Sequence, residues 1–332
     1  MNGFDHRQSA HCETGALSNL LRHHGLDLSE PMIFGLASGL TYAWLPLIRI
    51  NGLPLMAYRL PPRMIIRNLA RRQPDLRIRF RRYRRAEEGM ADLDRRLDAG
   101  QVVGLQTSVF FLPYFPEAMR FHFNAHNLVV YGREGDEYLI SDPVFDRPVR
   151  CDRASLRKAR FTRGPLAPRG LLYTIEQVPE SLDLARQVQR AIRFTARMNG
   201  RFNPVPFAGV RGMRRVARHI DRLEHGDRHQ ARLFLGHIVR MQEEIGTGGG
   251  GFRYLYAAFL QEAGERLGQT ELQALGETLI AIGDAWREFA LLAARIIKQR
   301  GEQSFPAVSQ ALRKVADREL AFYDRLGRVR IS

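Results

Sequence analysis

The hydrophobic periodicity changes once along the chain, near Ile175, and this change constrains the fold more than any other feature. Before it, short helical patterns alternate with strand-like runs. After it, apolar residues recur at helical spacing and strand patterns are absent. We therefore predict an α+β domain over residues 1–177, followed by an all-α helical domain over residues 178–332. At 332 residues, the chain is long enough for each part to bury its own core.

The first part contains three helical patterns and several runs that are typical of strands. The predicted helices read ETGALSNLLRHHG, PPRMIIRNLARRQ and MADLDRRLDAGQ. The predicted strands read RIRFRRYRR, VVGLQTSVFF, HNLVVYG, EYLISDP and GLLYTI, and their succession indicates an antiparallel sheet. In the second part we predict helices near residues 181–199, 208–224, 228–245, 252–267, 270–299 and 304–327.

The composition is that of a globular protein, with 45% hydrophobic and 26% charged residues. No apolar run approaches the ~20 residues of a membrane helix, and the N-terminus lacks the pattern of a signal peptide. We therefore expect a cytoplasmic protein without a transmembrane segment. Two cysteines, Cys12 and Cys151, are too few for a disulfide scaffold or a four-cysteine zinc site.

The formal net charge of +16 favours acidic partners, such as nucleic acid, anionic lipid, a phosphorylated cofactor or an acidic carrier protein. Charge alone does not choose among them. Because the sequence contains no recognised nucleic-acid-binding module, we do not expect nucleic acid to be the partner.

Cys12 lies at the start of the first predicted helix, where backbone N–H groups and the helix dipole favour thiolate over thiol. Its own N–H group could also stabilise an oxyanion. The negative charge of Glu13 opposes the thiolate, but that side chain can point into solvent. A cysteine near an N-terminus is more often structural than reactive. Assigning Cys12 as a nucleophile therefore requires a partner base elsewhere in the chain.

His126 opens one predicted strand and Asp142 closes the next, with a turn-rich link between them. If Tyr131 pairs with Glu137, then His126 and Asp142 face each other directly across the hairpin. Asp142 could then orient the imidazole, and His126 could take the thiol proton. His6 and His122 compete as the base, and we expect Cys151 to be a strand residue and not a second nucleophile.

Three motifs make the sequence resemble one known family. The stretch HCETGALSNLLRHHGLDLSEPMIFGLASGL resembles the N-terminal domain of the butirosin biosynthesis protein H family, and AHNLVVYGREGDEYLISDP resembles its histidine-bearing hairpin. The stretch GTGGGGFRYLYAAFLQEA resembles a motif of the helical domain that follows. The family is similar to papain-fold peptidases. Its named member is an acyltransferase that moves an aminoacyl group from an acyl carrier protein to an amine of an aminoglycoside.

The resemblance implies a papain-like cysteine-enzyme domain with an antiparallel sheet, followed by the family's helical domain. It implies Cys12 as the nucleophile, His126 as the base and Asp142 as the orienting acid. Papain-like enzymes often carry an oxyanion glutamine several residues before the cysteine. Gln8, four residues before Cys12, is the residue to which we assign that role.

Four consecutive glycines, Gly248, Gly249, Gly250 and Gly251, precede the helix that opens near Phe252. No lysine followed by serine or threonine comes after them, so the segment is not a nucleotide-binding P-loop. It is either a tight turn between helices or a loop that lines an acyl or phosphopantetheine channel. In the second case Arg253 and Tyr254 would supply polar contacts to the substrate.

Arginines alternate along the predicted strand RIRFRRYRR, which places Arg77, Arg79 and Arg81 on one face. Their charge could simply protect an exposed edge strand from aggregation. Alternatively, the face is a docking strip for an acidic acyl carrier protein.

From these features we expect a thiol-dependent acyltransferase. The donor would be a phosphopantetheine thioester on an acyl carrier protein or coenzyme A, and the acceptor a small-molecule amine or alcohol. We expect no bound cofactor and no metal. A papain-like amidase or peptidase is the first alternative, because the same three residues cleave amides if water enters. A non-catalytic basic binding module is the second.

Overall fold

The computed structural model describes residues 4–50, 52–244, 246, 248–299 and 304–331. The chain forms two compact units. The first comprises the residues up to Ile33 together with Pro62–Leu182, and the second comprises Phe34–Pro61 together with the residues from Asp183 onward. The predicted domain boundary at residue 177 placed residues 34–61 in the first domain. In the structure these residues belong to the second unit.

The first unit is built on a six-stranded antiparallel sheet with the strand order β3-β8-β4-β5-β6-β7. Its strands are β3 (Arg77–Arg81), β4 (Val103–Thr107), β5 (His126–Glu134), β6 (Glu137–Ser141), β7 (Val149–Asp152) and β8 (Leu172–Gln177). Its helices are α1 (Cys12–His23), α3 (Met64–Arg72), α4 (Ala86–Asp98) and α5 (Arg153–Phe161), and α2 (Glu30–Leu36) begins in this unit. The predicted α+β class with an antiparallel sheet is confirmed.

Strand β5 is a central, buried strand of this unit, and helix α1 packs against it. The first five residues of β5 are all buried, as expected of a strand that is covered on both faces. Helix α1 packs against β4 and β5 with an apolar stripe that is fully buried. The stripe contains Ala16, Leu17, Leu20 and Leu21. Cys12 and His126 therefore lie at the beginnings of two elements that pack against each other.

The second unit combines a hairpin with six helices. The hairpin strands are β1 (Leu40–Ile50) and β2 (Leu53–Arg59). The helices are α6 (Leu184–Asn199), α7 (Gly209–Leu223), α8 (Arg228–Glu243), α9 (Arg253–Leu267), α10 (Thr270–Ile297) and α11 (Phe305–Leu326). Each corresponds to a helix predicted from the periodicity. Within the described ranges, no helix has both the length and the apolar content needed to cross a membrane.

A buried ion pair organises the core of the second unit. The guanidinium of Arg253 donates to both carboxylate oxygens of Glu319, at 2.8 and 3.1 Å, and Trp286 donates its indole N–H to the same carboxylate at 2.6 Å. Arg253 also donates to the carbonyl oxygen of Gly251 at 2.7 Å and lies over the ring of Trp286. Arg253 is fully buried and its guanidinium is engaged by these contacts, so the structure gives it a structural role, and a substrate contact stays a prediction.

The glycine segment forms a tight turn that packs against the same core. All four residues have positive φ angles, from 54° to 85°, which glycine adopts without strain. A Cβ atom on Gly251 would lie 2.4 Å from the ring of Tyr58, and one on Gly249 would lie 2.7 Å from the guanidinium of Arg287. Tyr254 donates its hydroxyl to Asp284 at 2.7 Å. These contacts account for the glycines, and a channel-lining role for Gly248–Gly251 and Tyr254 stays a prediction.

We expect the substitution Arg253→Met to lower the free energy of unfolding by about 3–5 kcal/mol, because it leaves the buried Glu319 carboxylate without its partner. Arg214→Met is the matched control, since Arg214 pairs with Asp317 on the surface and should cost about 1 kcal/mol or less. Urea unfolding followed by circular dichroism measures both. Equal midpoints for the two variants would contradict a structural role for Arg253.

Candidate active site

Cys12 is held at the first position of α1 by a carboxylate from α2. Glu30 accepts the backbone N–H groups of Ala10 at 3.0 Å and His11 at 2.6 Å, and it also accepts the hydroxyl of Thr14 at 3.2 Å. The ring of His11 contacts the same hydroxyl at 2.9 Å. The turn that leads into Cys12 is therefore fixed by hydrogen bonds, while Cys12 itself is only partly buried.

Glu13 does not point into solvent, although the sequence allows it. Its side chain is fully buried and accepts the backbone N–H of Ile66 at 3.4 Å, in the first turn of α3. Arg63, which precedes α3, lies close enough to interact electrostatically with this carboxylate. A helix N-terminus carries a partial positive charge. The negative charge beside Cys12 is thus offset by α3 and Arg63, which the local sequence does not show.

His126 and Asp142 form a buried pair. The Nε2 atom of His126 lies 2.7 Å from the Oδ2 atom of Asp142, and the two side chains are 3% and 0% exposed. Tyr114 donates its hydroxyl to the same Oδ2 atom at 2.9 Å, and the N–H of Val144 donates to Oδ1 at 3.1 Å. Three donors therefore satisfy the carboxylate, which offsets the cost of burying it away from water.

His126 also interacts directly with Cys12. Burial alone would lower the pKa of His126, but the Asp142 carboxylate and the hydrogen-bonded Cys12 sulfur outweigh burial and raise that pKa to about 10. Because Nε2 is bonded to Asp142, Nδ1 is the ring nitrogen left for the sulfur. The structure thus brings together Cys12, His126 and Asp142, and the imidazole is positively charged at neutral pH. A cysteine beside an imidazolium is an arrangement in which the sulfur can act as a nucleophile.

The register predicted for the hairpin is wrong, although the contact it served to predict is present. The strands pair Glu134 with Glu137 around a two-residue turn, and the register shifts by one residue at a bulge between Val130 and Gly132. Beyond the bulge, Val129 pairs with Ser141, so Asp142 lies diagonal to His126 and not opposite it. A diagonal neighbour keeps the same face of the sheet. Without the bulge, the one-residue difference would place the two side chains on opposite faces.

The segment before Cys12 runs along the chain that follows β6. Gln8 is exposed and donates its side-chain amide to the carbonyl oxygen of Val144 at 3.1 Å, and its role in an oxyanion hole stays a prediction. The two ring nitrogens of His6 contact Ser141 Oγ at 2.7 Å and the carbonyl oxygen of Phe145 at 3.0 Å. His6 is therefore engaged in holding this segment.

Aromatic residues of the segment between β4 and β5 surround the buried pair. The ring of Phe115 meets His126 edge to face, with centroids 5.5 Å apart, and it also contacts Phe145. His122 is exposed and stacks on Phe110 at 4.0 Å. Sequence reasoning missed Tyr114, Phe115 and Glu30. The aromatic run FFLPYFPEAMRFHF just before His126 is the signal that could have indicated the first two.

Cys151 lies in β7, as predicted, and it is almost fully buried. Burial and the neighbouring Asp152 raise the pKa of its thiol to about 12, so Cys151 stays protonated at neutral pH. Among the described residues, no three His, Cys, Asp or Glu side chains lie close enough together to hold a metal ion.

The arginine face of β3 is exposed, as predicted. Arg77, Arg79 and Arg81 point outward from an edge strand, while Ile78 and Phe80 are partly buried. Arg79 pairs with Glu176 on the neighbouring strand β8. The docking of a carrier protein on this face stays a prediction.

Comparison with known protein families shows the family to which the chain belongs. Residues 154–326, more than half of the chain, match the domain of unknown function DUF4872. The chain belongs to the DUF4872 family. Residues 11–143 match the N-terminal domain of butirosin biosynthesis protein H, which confirms the predicted resemblance and includes Cys12, His126 and Asp142.

Among solved structures, this DUF4872 protein is similar to a protein described as a C39-like peptidase from Bacillus anthracis. The two share 16% identity with a TM-score of 0.37, over 54% of this chain and 96% of that one. A search of curated proteins finds no match. The N-terminal family match and the buried His126–Asp142 pair beside Cys12 point to the same part of the chain as the functional site.

We expect iodoacetamide at pH 6.5 to label Cys12 and to leave Cys151 unmodified, because only Cys12 has an imidazolium beside it. His126→Gln should slow this labelling at least tenfold. Intact mass and peptide mapping identify the labelled thiol, with Cys12→Ala as the control that retains Cys151 alone. Labelling of Cys12 at the same rate in wild type and His126→Gln would contradict the pair.

The substitution Asp142→Asn should change the pH dependence of that labelling. Removing the carboxylate leaves burial to dominate, which lowers the pKa of His126 and removes the imidazolium near neutral pH. The rate at pH 6 should fall at least tenfold, while the rate at pH 9, where ordinary thiols ionise, should change little. A parallel loss at both pH values would indicate misfolding, which circular dichroism detects. An unchanged profile would contradict the role of Asp142.

Proposed function

We propose that the protein is a thiol-dependent acyltransferase, which takes an acyl group from a thioester onto Cys12 and passes it to an amine or a hydroxyl group. The observation that carries the proposal is the buried His126–Asp142 pair in contact with the partly exposed Cys12. The match of residues 11–143 to a biosynthesis protein supports transfer over degradation.

In the first half-reaction the Cys12 thiolate attacks the carbonyl carbon of the thioester. The tetrahedral oxyanion collapses, and the bond between that carbon and the donor sulfur breaks. The imidazolium of His126 gives its proton to the departing sulfur, so the donor leaves as a thiol and His126 becomes neutral. Asp142 keeps the ring oriented through both states.

In the second half-reaction the acceptor attacks the acyl group on Cys12. Neutral His126 takes the proton of the amine or hydroxyl, and Cys12 leaves as a thiolate. The site then returns to its starting thiolate–imidazolium state. The products are the free donor thiol and the acylated acceptor, so atoms and charge balance over the cycle.

The donor we favour is a phosphopantetheine thioester, carried by an acidic acyl carrier protein or by coenzyme A. The net charge of +16 favours an acidic donor, and the exposed arginines of β3 offer one surface for a carrier protein. An amidase or peptidase remains the rival, because water could replace the acceptor at the second step.

The direct test is to incubate the wild-type protein with acyl thioesters and to measure intact mass. We expect an adduct of one acyl group that maps to Cys12, is absent from Cys12→Ala and is retained in Cys151→Ala. The adduct should persist without an amine and discharge when an acceptor is added. Rapid release of free acid whether or not amines are present would favour the hydrolase, and cleavage of peptides without any thioester adduct would overturn the proposal.

A further inference from the structure

The first unit contains a cavity of about 380 Å³ that is lined by arginines and has no carboxylate in its wall. We call it the arginine cavity. It is lined by Tyr83, Arg84, Phe161, Thr162, Arg163, Gly164, Ala167 and Arg169. The hydroxyl of Tyr83 is engaged by Asp92, whose charge is also met by Arg95 and Arg96, so this acid is not available to the cavity.

Further positive charge surrounds the arginine cavity. Arg63 is partly buried, and its near neighbours of like charge are Arg67, Arg82 and the cavity residue Arg169. Burial lowers the pKa of Arg63, and so does electrostatic repulsion from the neighbouring guanidinium groups. Within the described part of the chain, no salt bridge of 4.0 Å or less joins the three lining arginines or Arg82 to a carboxylate, whereas Arg63 interacts electrostatically with Glu13. A bound anion would relieve this repulsion.

A buried guanidinium adds to the positive potential behind the cavity wall. Arg160 is fully buried and donates to the carbonyl oxygens of Gly89 at 2.9 Å and Gly170 at 3.5 Å. It lies over the ring of Phe161, which lines the cavity, and its Nε atom has no hydrogen-bond partner. Charges in such a low-dielectric setting are weakly screened and act over longer distances than surface charges.

One lining residue, Arg169, and two residues outside the lining, Arg63 and Leu166, have an uncommon backbone conformation. Arg63, Leu166 and Arg169 have φ angles of 73°, 57° and 53°, in the left-handed region that side chains rarely adopt. Strain of this kind gathers at ligand-binding sites, where the surrounding structure enforces it.

Two contacts tie the cavity to the catalytic residues. Asn124, two residues before His126, donates to the carbonyl oxygen of Pro165 at 2.9 Å in the segment between Arg163 and Arg169. On the other side, Glu13, which follows Cys12, is bonded to the first turn of α3 beside Arg63. The segment that lines the cavity is therefore bonded to the chain just before His126, and Arg63, an electrostatic neighbour of the cavity residue Arg169, lies beside the carboxylate that follows Cys12.

We propose that the arginine cavity binds a phosphate group of the acyl donor through Arg84, Arg163 and Arg169. The planar guanidinium fork suits phosphate oxygens, and Phe161 and Ala167 provide apolar surface for the chain attached to the phosphate. The volume lies within the range of small-molecule sites. The assignment of this phosphate to the donor rests on the proposed acyltransferase function, whereas the binding of an anion does not.

The test compares two donors that differ only in the phosphate: acetyl-pantetheine and acetyl-pantetheine 4′-phosphate. Acylation of Cys12 is followed by intact mass in wild type, in Arg84→Ala/Arg163→Ala and in Arg186→Ala/Arg228→Ala. The last is a matched control that removes two exposed arginines of the second unit. We expect half-saturation at a concentration at least tenfold lower for the phosphorylated donor in wild type and in the control. The cavity variant should lose this preference and acylate with the unphosphorylated donor as wild type does.

Equal half-saturation by the two donors in wild type, or a preference that survives in the cavity variant, would overturn the phosphate assignment and leave the acyltransferase proposal standing. If neither donor acylates Cys12, the proposed acyltransferase function fails. Calorimetric titration with inorganic pyrophosphate then decides whether the cavity binds an anion. Saturable binding that is lost in the cavity variant and kept in the control would support an anion site. No binding, or equal binding by all three proteins, would overturn it.

Discussion

The hydrogen bond between His126 and Asp142 is the interaction on which the site depends. Both side chains are buried, and an isolated charge at either position would cost several kcal/mol. The pair survives because Tyr114 and the backbone of Val144 satisfy the remaining carboxylate sites. The Asp142 carboxylate raises the pKa of His126 against the opposing effect of burial, and the ring lies beside the sulfur of Cys12.

Three features of the fold position these side chains. The central strand β5 presents His126 at its first residue, where it pairs with Thr107 of β4. The bulge in β5 sets the face on which Asp142 meets it. Helix α1 presents Cys12 at its first residue, and Glu30 fixes the turn that precedes it. The arrangement of Cys12, His126 and Asp142 thus depends on the ends of well-packed elements and on one irregularity of the sheet.

The sequence sufficed for the fold class and for the proximity of Cys12, His126 and Asp142, because each residue stands at the end of a strongly periodic element. It did not suffice for the hairpin register, since the bulge between Val130 and Gly132 leaves no mark on the alternation of β5. The burial of Arg253 depends on Glu319, which lies far along the chain and gives no local signal. The hairpin of β1 and β2 was missed because β1 reads LTYAWLPLIRI, whose internal proline and poor alternation do not favour a strand.

The central claim is that His126 is an imidazolium at neutral pH because Asp142 and Cys12 hold it so. Nitrogen-15 NMR of the ring, with histidine labelled and His126 assigned by its absence in His126→Gln, measures this state directly. At pH 8 we expect both ring nitrogens to be protonated, with titration centred near pH 10. A neutral ring at pH 8 that titrates near the ordinary histidine value of about 6.5 would contradict the account.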